Sequence, residues 1–269
     1  MAKSKAKQER KLLMILSVLL LCSVFVVLLS MLIRSFKPFY KVEDRVEQVQ
    51  SEAKKRSDLV EGWIKVQGTN IDYPIIYNDY YKGTDLNKIK YNFAWSNDKL
   101  DKLTNRPLIV GHNLLNVSKT PLITDPNHSR FEQLMSFVYI DFVKENKYIQ
   151  YTIDGKNYLY KIFSISFVKD STIDYETVSM TEEELEQYIN NSVKDSIFDF
   201  DIDISKEDKI ITLVTCTRMF GYDSGKTFKI DARMVRDKES IRNYRVKEKE
   251  KYKEIKKIME GDNEDEQDA

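Results

Sequence analysis

The chain has 269 residues and carries 43 Lys+Arg against 43 Asp+Glu, so its formal net charge is zero. A balanced chain lacks the basic excess that nucleic-acid-binding proteins usually show on one face, so we expect no nucleic-acid partner. Hydrophobic residues make up 42% of the chain and only 8 Gly and 5 Pro are present, which supplies a core and excludes a fibrous or linker-dominated protein.

The first element in chain order is an uncharged apolar run over residues 12–33. At a rise of about 1.5 Å per residue, a helix of this length crosses a hydrocarbon core of about 30 Å. A cleavable signal peptide is the alternative, but its apolar stretch is usually about 7 to 15 residues long and precedes a small-residue cleavage site. Because Ile33 is followed by Arg34, we predict a retained transmembrane anchor.

The charges that flank this run predict its orientation. The basic residues ahead of it are Lys3, Lys5, Lys7, Arg10 and Lys11, and those behind it are Arg34, Lys37 and Lys41. By the positive-inside rule, residues 1–11 form a cytoplasmic tail. We therefore predict a single-pass protein of the cell membrane, with everything after Phe36 outside the cell.

Residues 34–60 are predicted to form a stalk and a first helix. Val42, Val46 and Val49 follow one another at i, i+4 and i+7, which places them on one face of a helix. This apolar face is expected to pack on the domain that follows.

Residues 61–236 are rich in short β-type runs that are separated by Asn, Asp, Gly and Lys. The runs cover residues 63–66, 73–77, 107–110, 148–153, 158–168, 209–215 and 228–235. Asp154-Gly155 between two of them is a strong hairpin signal. The number and length of the runs predict a β-barrel or a β-sandwich.

Helices are predicted within and after this strand-rich region. One covers 129–138 and a second covers 181–193, where Thr181 as N-cap and Glu184 complete a capping box. Residues 237–269 are predicted to form a charged tail, with a solvated helix over 237–258 and disorder after it.

Of the two cysteines, Cys22 lies in the apolar run, so the rest of the chain has a single thiol. A single thiol excludes an internal disulfide and a multi-cysteine zinc site. Cys216 is then either a small buried hydrophobic residue or a reactive thiol.

Two strands end in residues that carry chemistry. Cys216 ends the run that begins at Ile210, and His112 follows Pro107–Gly111 in the same way. A thiol and an imidazole held at strand ends can act as a nucleophile and its proton partner. His128, the other histidine, has no strand-end context and is predicted to lie at the surface.

A third requirement is a donor for the oxyanion, and the cations near Cys216 in sequence are Arg218, Lys226, Lys229 and Arg233. No cofactor or metal is predicted. Asp199, Asp201 and Asp203 alternate along the chain without the glycine of a calcium loop, so we expect them to be solvated.

Several stretches resemble the sortase family. Residues 212–216, Thr-Leu-Val-Thr-Cys, match its TLxTC signature, and residues 110–113, Val-Gly-His-Asn, match the segment that carries its catalytic histidine. Residues 62–74 and 129–134, together with helix 181–193 ahead of the TLxTC strand, resemble the class B branch.

This resemblance implies a mainly β fold, an eight-stranded β-barrel with an N-terminal helix and a helical insertion before the catalytic strand. It implies a cysteine transpeptidase in which Cys216 attacks the Thr carbonyl of a C-terminal sorting signal on a secreted protein. His112 is the general acid/base. The resulting thioester is resolved by an amine, usually that of a peptidoglycan precursor.

The sequence departs from the family where an arginine usually begins the strand after the Cys loop. Thr227 stands at that position. Arg233 shares a face with Thr227 but lies roughly 20 Å further on, at about 3.3 Å per residue. We predict that Arg218 holds the oxyanion, and Lys226, Arg233 (if the strand is aligned differently) or backbone donors are the alternatives.

Two other functions remain open at this stage. A class B-like enzyme that builds pili would use a pilin lysine as the amine, although the Asp-Pro-aromatic lid motif of pilus enzymes is not matched by residues 125–127. A catalytically weak, membrane-tethered binding module would keep the barrel, and the missing arginine favours it. A thiol probe separates the binding module from the enzymes, because a buried structural cysteine reacts slowly.

Overall fold

The computed structural model describes residues 2–36, 38–56, 60–77, 94–96, 102–113, 131–175, 179–221 and 224–261. The chain divides into two compact units. The first comprises residues 1–41 and 240–242, and the second comprises residues 42–239 and 243–269.

The first unit contains one long helix, α1 (Ala2–Phe36). Its stretch Arg10–Ile33 has 24 residues and a mean hydropathy of 3.2, so it is long and apolar enough to cross a membrane by length and composition. The predicted span 12–33 lies inside it. Such a helix is compatible with a single-pass anchor and with a signal sequence, so the orientation and the retention of the anchor stay predictions.

The second unit contains the remaining elements. They are α2 (Val46–Arg56), β1 (Val60–Val66), β2 (Asp72–Tyr77), β3 (Ala94–Ser96), β4 (Leu108–Gly111), a 3-10 helix (Phe131–Val138), α3 (Ile140–Glu145), β5 (Tyr148–Ile153), β6 (Lys156–Lys169), a 3-10 turn (Asp170–Thr172), α4 (Glu182–Asp195), β7 (Phe198–Phe200), β8 (Ile210–Cys216), β9 (Lys226–Met234), β10 (Val246–Glu248) and α5 (Glu250–Gly261).

Eight strands close a barrel in the order β1-β2-β3-β4-β8-β9-β6-β5, and β5 pairs back onto β1. The β4–β8 pair is parallel, whereas its neighbours β3–β4 and β8–β9 are antiparallel. Alternate residues such as Ile211, Leu213 and Ile230 belong to the main hydrophobic core. The mainly β, eight-stranded barrel is therefore confirmed.

The hairpin signal between β5 and β6 is also confirmed. Asp154 and Gly155 have φ of 50° and 65°, so two successive residues lie in the left-handed region. A tight turn with this backbone matches the right-handed twist of the two strands, which is why Asp-Gly is favoured there.

Helix α4 is the predicted insertion before the catalytic strand. The backbone N–H of Glu184 donates to the Thr181 hydroxyl at 3.3 Å, and the Glu184 carboxylate accepts from the Thr181 N–H at 2.8 Å, so the capping box is confirmed. Leu185 and Ile189 are buried against Phe163 and Ile210 on the outer side of the barrel.

A buried ion pair lies beneath α4. Lys229 Nζ and Asp231 Oδ2 are 2.8 Å apart, and the two side chains are 8% and 0% exposed. The Tyr188 hydroxyl of α4 donates to Asp231 at 2.5 Å, and Lys229 Nζ donates to Ser192 Oγ at 2.9 Å. Burial disfavours the charge on Asp231, yet Lys229 and the hydroxyl donors hold the pKa of this carboxyl below its ordinary value.

Two predicted helices need correction. The segment 131–138 is a 3-10 helix whose residues are all buried, so its burial is not limited to one α-helical face. The predicted solvated helix over 237–258 is wrong in its first part, because residues 246–248 form β10, which pairs with β7. Helix α5 begins at Glu250, and its Tyr252 packs on Phe198 with ring centroids 4.7 Å apart.

Some predictions lie outside the described residues. They concern residues 262–269, His128, and residues 125–127 and 129–130. The predicted domain boundaries at residues 11, 33, 60 and 236 stay predictions.

The ion pair beneath α4 yields a prediction on stability. Lys229→Met leaves Asp231 buried without its cation, so the free energy of unfolding should fall by about 3–5 kcal/mol. Urea unfolding followed by circular dichroism measures this loss. Lys251→Met, which removes an exposed ion pair with Asp195, is the control and should cost at most about 1 kcal/mol. Equal losses in the two variants would contradict the prediction.

Candidate active site

The thiol of Cys216 lies at the end of β8. The six residues that precede it in this strand are buried, whereas Cys216 is exposed. The alternative that Cys216 is a small buried hydrophobic residue is therefore wrong. A strand whose other residues are fixed in the barrel holds this sulfur at the protein surface.

The pairing of β4 with β8 places His112 beside Cys216. In this parallel pair Gly111 of β4 is matched with Thr215 of β8. His112 directly follows Gly111, and Cys216 directly follows Thr215. Neighbouring strands lie about 4.8 Å apart, and matched positions of parallel strands point to the same face. The residues that carry the imidazole and the thiol therefore follow adjacent strands at the same end of the barrel.

Two hydrogen bonds tie these strand ends together. The Thr215 hydroxyl donates to the carbonyl of Gly111 at 2.7 Å, and Asn113 Nδ2 donates to the carbonyl of Cys216 at 2.9 Å. Thr215 and Asn113 are both buried, so these bonds are shielded from water. They fix the relative position of the two backbone segments that carry His112 and Cys216.

Gly111 is required where it stands because Phe131 packs directly against its backbone. A Cβ at Gly111 would lie 2.3 Å from Phe131 Cγ, which is far inside van der Waals contact. The glycine before His112 and the phenylalanine at position 131 are therefore in direct contact, although 20 residues separate them in the chain. It supports β4 immediately below His112.

Trp95 packs on the imidazole. The rings of Trp95 and His112 have centroids 4.6 Å apart and are tilted by 51°. Trp95 belongs to β3 and is only 8% exposed, so it is both part of the core and a neighbour of the candidate base. This contact limits the orientations open to the His112 ring.

The family arginine position lies directly opposite the thiol. Thr227 pairs with Cys216 in the β8–β9 register, and its hydroxyl donates to Asp170 Oδ1 at 3.0 Å. The Tyr175 hydroxyl donates to the same oxygen. Where a guanidinium is expected, this chain presents a hydroxyl and a carboxylate.

Arg218 is the predicted cation that stays near the thiol. It lies two residues after Cys216 in the turn closed by a hydrogen bond from the Gly221 N–H to the Arg218 carbonyl, at 3.0 Å. Its side chain is half-buried, and its positive charge acts on the Cys216 thiol.

The two alternative cations are engaged elsewhere. Lys226 Nζ lies 3.9 Å from the ring centroid of Phe220. Arg233 pairs with Ile210, at the opposite end of β8 from Cys216, and its guanidinium donates to Glu239 at 2.6 and 2.7 Å. Arg233 is therefore too far along the strand to reach the thiol.

The surroundings of Cys216 favour the protonated thiol. Partial burial of the sulfur is the largest influence and raises the pKa, and the negative charge of Asp170 raises it further. The positive charge of Arg218 opposes both effects. Because these surroundings favour the thiol over the thiolate, a neighbouring base that takes the proton assists attack by the sulfur.

A cavity of about 490 Å³ lies between α4 and the outer face of the barrel. Val168 and Lys229 line its floor, and Arg106, Met180 and Tyr188 are among its other lining residues. Val168 of β6 pairs with Thr227 of β9, and Thr227 pairs with Cys216 of β8. The floor of the cavity therefore begins on β6, and only β9 separates it from the strand of Cys216.

The aspartates considered for calcium lie elsewhere. Asp201 is ion-paired with Arg245 and Asp203 with Arg236, beside the β7–β10 sheet. Among the described residues, no group of three or more His, Cys, Asp or Glu side chains is arranged to hold a metal ion.

Sequence reasoning did not find three neighbours of the dyad. Trp95, Asp170 and Tyr175 carry no local sequence signal that links them to the dyad. Asp170 is 46 residues from Cys216 in sequence, so only the threonine at position 227 pointed to an altered site. Roles for Cys216, His112 and Arg218 remain proposals.

A barrel that brings a thiol and an imidazole to adjacent strand ends defines a cysteine-dependent acyl-transfer enzyme. The family model described as "Sortase domain" matches residues 64–235, so the chain belongs to the sortase family of cysteine transpeptidases. It is most like class B, as predicted.

Relatives of known structure or function agree with this class. The chain is 28% identical over 199 residues to sortase B of Listeria monocytogenes, covering 69% of this chain and 72% of that protein. It is 24% identical over 178 residues to sortase B of Staphylococcus aureus, covering 63% and 67%. Clostridium perfringens sortase B superposes with a TM-score of 0.55 at 27% identity, covering 70% of this chain and 100% of that one.

The contact beneath His112 yields a prediction. Gly111→Ala forces Phe131 or β4 to move, so we expect a loss of about 1–3 kcal/mol in the free energy of unfolding and slower acylation of Cys216. Thermal unfolding and a Cys216 acylation assay measure the two effects. Phe131→Leu in the same chain should restore part of both, and Gly261→Ala, which meets nothing within 4 Å, should change neither.

The charges around the thiol yield a second prediction. The pH midpoint for alkylation of Cys216 should rise in Arg218→Ala, which removes a cation that stabilises the thiolate, and fall in Asp170→Asn, which removes an anion that destabilises it. Mass spectrometry of the Cys216 peptide after iodoacetamide treatment keeps Cys22 out of the measurement. Midpoints that move in the same direction would sink this electrostatic account.

Proposed function

We propose that this sortase is a membrane-anchored transpeptidase of the outer cell surface, with Cys216 as nucleophile, His112 as general acid/base and Arg218 as the oxyanion-stabilising cation. It cleaves a C-terminal sorting signal on a secreted protein and transfers that protein to an amine of a peptidoglycan precursor. The parallel register that sets His112 beside Cys216 is the observation that carries the proposal.

In the first half-reaction His112 takes the thiol proton, and the sulfur attacks the carbonyl carbon of the substrate threonine. Negative charge develops on the carbonyl oxygen. Arg218 is the cation whose field already acts on the sulfur, which supports its role in stabilising this charge. Collapse of the intermediate breaks the C–N bond, and the departing amine takes the proton from His112.

In the second half-reaction an amine attacks the thioester carbon and gives a proton to His112. The C–S bond breaks and Cys216 is restored. Water can take the place of the amine, and the product is then a free carboxylate.

The cavity between α4 and the barrel supports binding of an extended peptide. Its volume of about 490 Å³ falls within the range of about 300–1,000 Å³ that is typical of ligand sites. Its mixed lining, with Val168 and Met180 beside Arg106 and Lys229, suits a short segment that carries both apolar and polar side chains.

The apolar helix supports the location. Arg10–Ile33 is long enough to span a bilayer, and basic residues dominate on its N-terminal side. A pilin lysine is the alternative acceptor amine. A binding module without catalysis is disfavoured by the exposed thiol beside an imidazole.

The experiment incubates the full-length chain in detergent with a library of sorting-signal peptides, with and without amines, and follows adducts on Cys216 by mass spectrometry. Cys216→Ala should form no acyl-enzyme, and His112→Ala should lose nearly all turnover. Arg218→Ala should slow acylation by about a hundredfold. Turnover retained in Cys216→Ala or His112→Ala, or the absence of any wild-type adduct, would overturn the mechanism.

A gain-of-function variant tests the oxyanion role separately. Thr227→Arg introduces a guanidinium opposite Cys216, and it should restore acylation when it is combined with Arg218→Ala. Lys226→Ala is the matched control and should leave the rate unchanged. A rate unaffected by Arg218→Ala would assign the oxyanion to backbone donors or to Lys226.

A further inference from the structure

A carboxylate stands beside the candidate nucleophile because the β6–β9 pairing continues past the last matched residues. Lys169 pairs with Lys226, and the N–H of the next residue, Asp170, donates to the carbonyl of Gly225 at 2.8 Å. This main-chain bond places Asp170 at the same end of the barrel as Cys216.

The side chain of Asp170 is fixed through one oxygen. Oδ1 accepts from the Thr227 hydroxyl at 3.0 Å and from the Tyr175 hydroxyl. Burial and the hydrogen bond to Asp170 raise the pKa of Tyr175, so the phenol remains a donor. In the described part of the chain Oδ2 accepts no hydrogen bond, and Asp170 is exposed.

No Lys or Arg among the described residues forms an ion pair with Asp170. The adjacent Lys226 lies over the ring of Phe220 instead. An unpaired anion at this point disfavours the thiolate, so it does not help the first half-reaction. Once Cys216 is acylated, however, the thioester is neutral and this cost disappears.

We propose that Asp170 binds the protonated amine of the acceptor and holds it beside the Cys216 thioester. This inference rests on the proposed transpeptidase function. A carboxylate attracts an ammonium and leaves water unaffected, so Asp170 selects for aminolysis over hydrolysis. The ligand class is a primary ammonium, such as an α-amino group or a lysine side chain.

The transfer step balances without any further reactant. The acyl thioester and the ammonium give an amide, the Cys216 thiol and one released proton. The ammonium loses a proton to His112, its nitrogen attacks the carbonyl carbon, and the C–S bond breaks. Asp170 takes no part in bond making and acts through position and charge.

The first test needs no peptide substrate. The full-length chain in detergent is treated with two methanethiosulfonates, one carrying a trimethylammonium and one a sulfonate, and modification of Cys216 is timed by mass spectrometry. The ratio of the two rates cancels any change in the thiolate fraction. In Asp170→Asn the cation-to-anion ratio should fall by about three- to tenfold, the effect of one unit charge at short range in water.

Two controls accompany this measurement. Asp201→Asn removes one negative charge from the β7–β10 region and should leave the ratio unchanged, whereas Asp170→Glu should keep most of it. An unchanged ratio in Asp170→Asn would overturn the proposal, because the carboxylate would then exert no field on cations that approach the thiol.

The second test uses the acyl-enzyme. With a glycine-based amine, Asp170→Asn should lower the ratio of amide to hydrolysis product about three- to tenfold. With hydroxylamine, which is uncharged at neutral pH, the ratio should not change. An acyl-enzyme that forms and partitions identically in wild type and Asp170→Asn overturns this inference alone, whereas a wild type that forms no acyl-enzyme overturns the proposed function.

Discussion

The parallel pairing of β4 with β8 is the constraint on which the site depends. Parallel neighbours cannot be joined by a tight turn, so the chain between His112 and Cys216 must cross over before β8 returns beside β4. That long connection contains β5, β6 and α4, and it closes the barrel while it builds the outer wall beside the thiol. The dyad is therefore a consequence of topology. Its two members approach each other only when the whole barrel is closed.

The threonine at position 227 and the carboxylate at position 170 form one change in the site. An arginine opposite Cys216 would neutralise Asp170. With Thr227 there, the hydroxyl donates to Asp170, and no Lys or Arg of the described residues is ion-paired with this carboxylate. In the proposed mechanism, a threonine at this position gives an oxyanion no cation and leaves room for the ammonium of the acceptor beside Asp170. In the proposed mechanism the positive charge comes instead from Arg218, in the turn after the thiol.

The strands and α4 were predictable because their signals are local. The alternation in β8, the Asp-Gly turn and the capping box at Thr181 each lie within a few residues. β3 could not be predicted because a strand of three residues is too short to show an alternation of apolar and polar side chains. β10 could not be predicted because it forms only by pairing with β7, which lies 46 residues earlier in the chain. Cys216 and His112 were found from strand ends and family motifs. Asp170 was not, because its position depends on the β6–β9 register and not on any pattern around it.

In the proposed mechanism, the two charges near Cys216 act on different steps of one reaction. Arg218 lowers the pKa of the thiol and Asp170 raises it, so in the free enzyme they oppose each other. During acylation negative charge develops on the carbonyl oxygen of the substrate. The positive charge of Arg218 stabilises it, and the negative charge of Asp170 destabilises it. During resolution the acceptor arrives as an ammonium, which Asp170 attracts and Arg218 repels, and it loses a proton to His112 before its nitrogen attacks. On this proposal, a site with both charges gives up some speed in the first step. It gains discrimination between an amine and water in the second, where loss of the acyl group to water releases the substrate protein unattached.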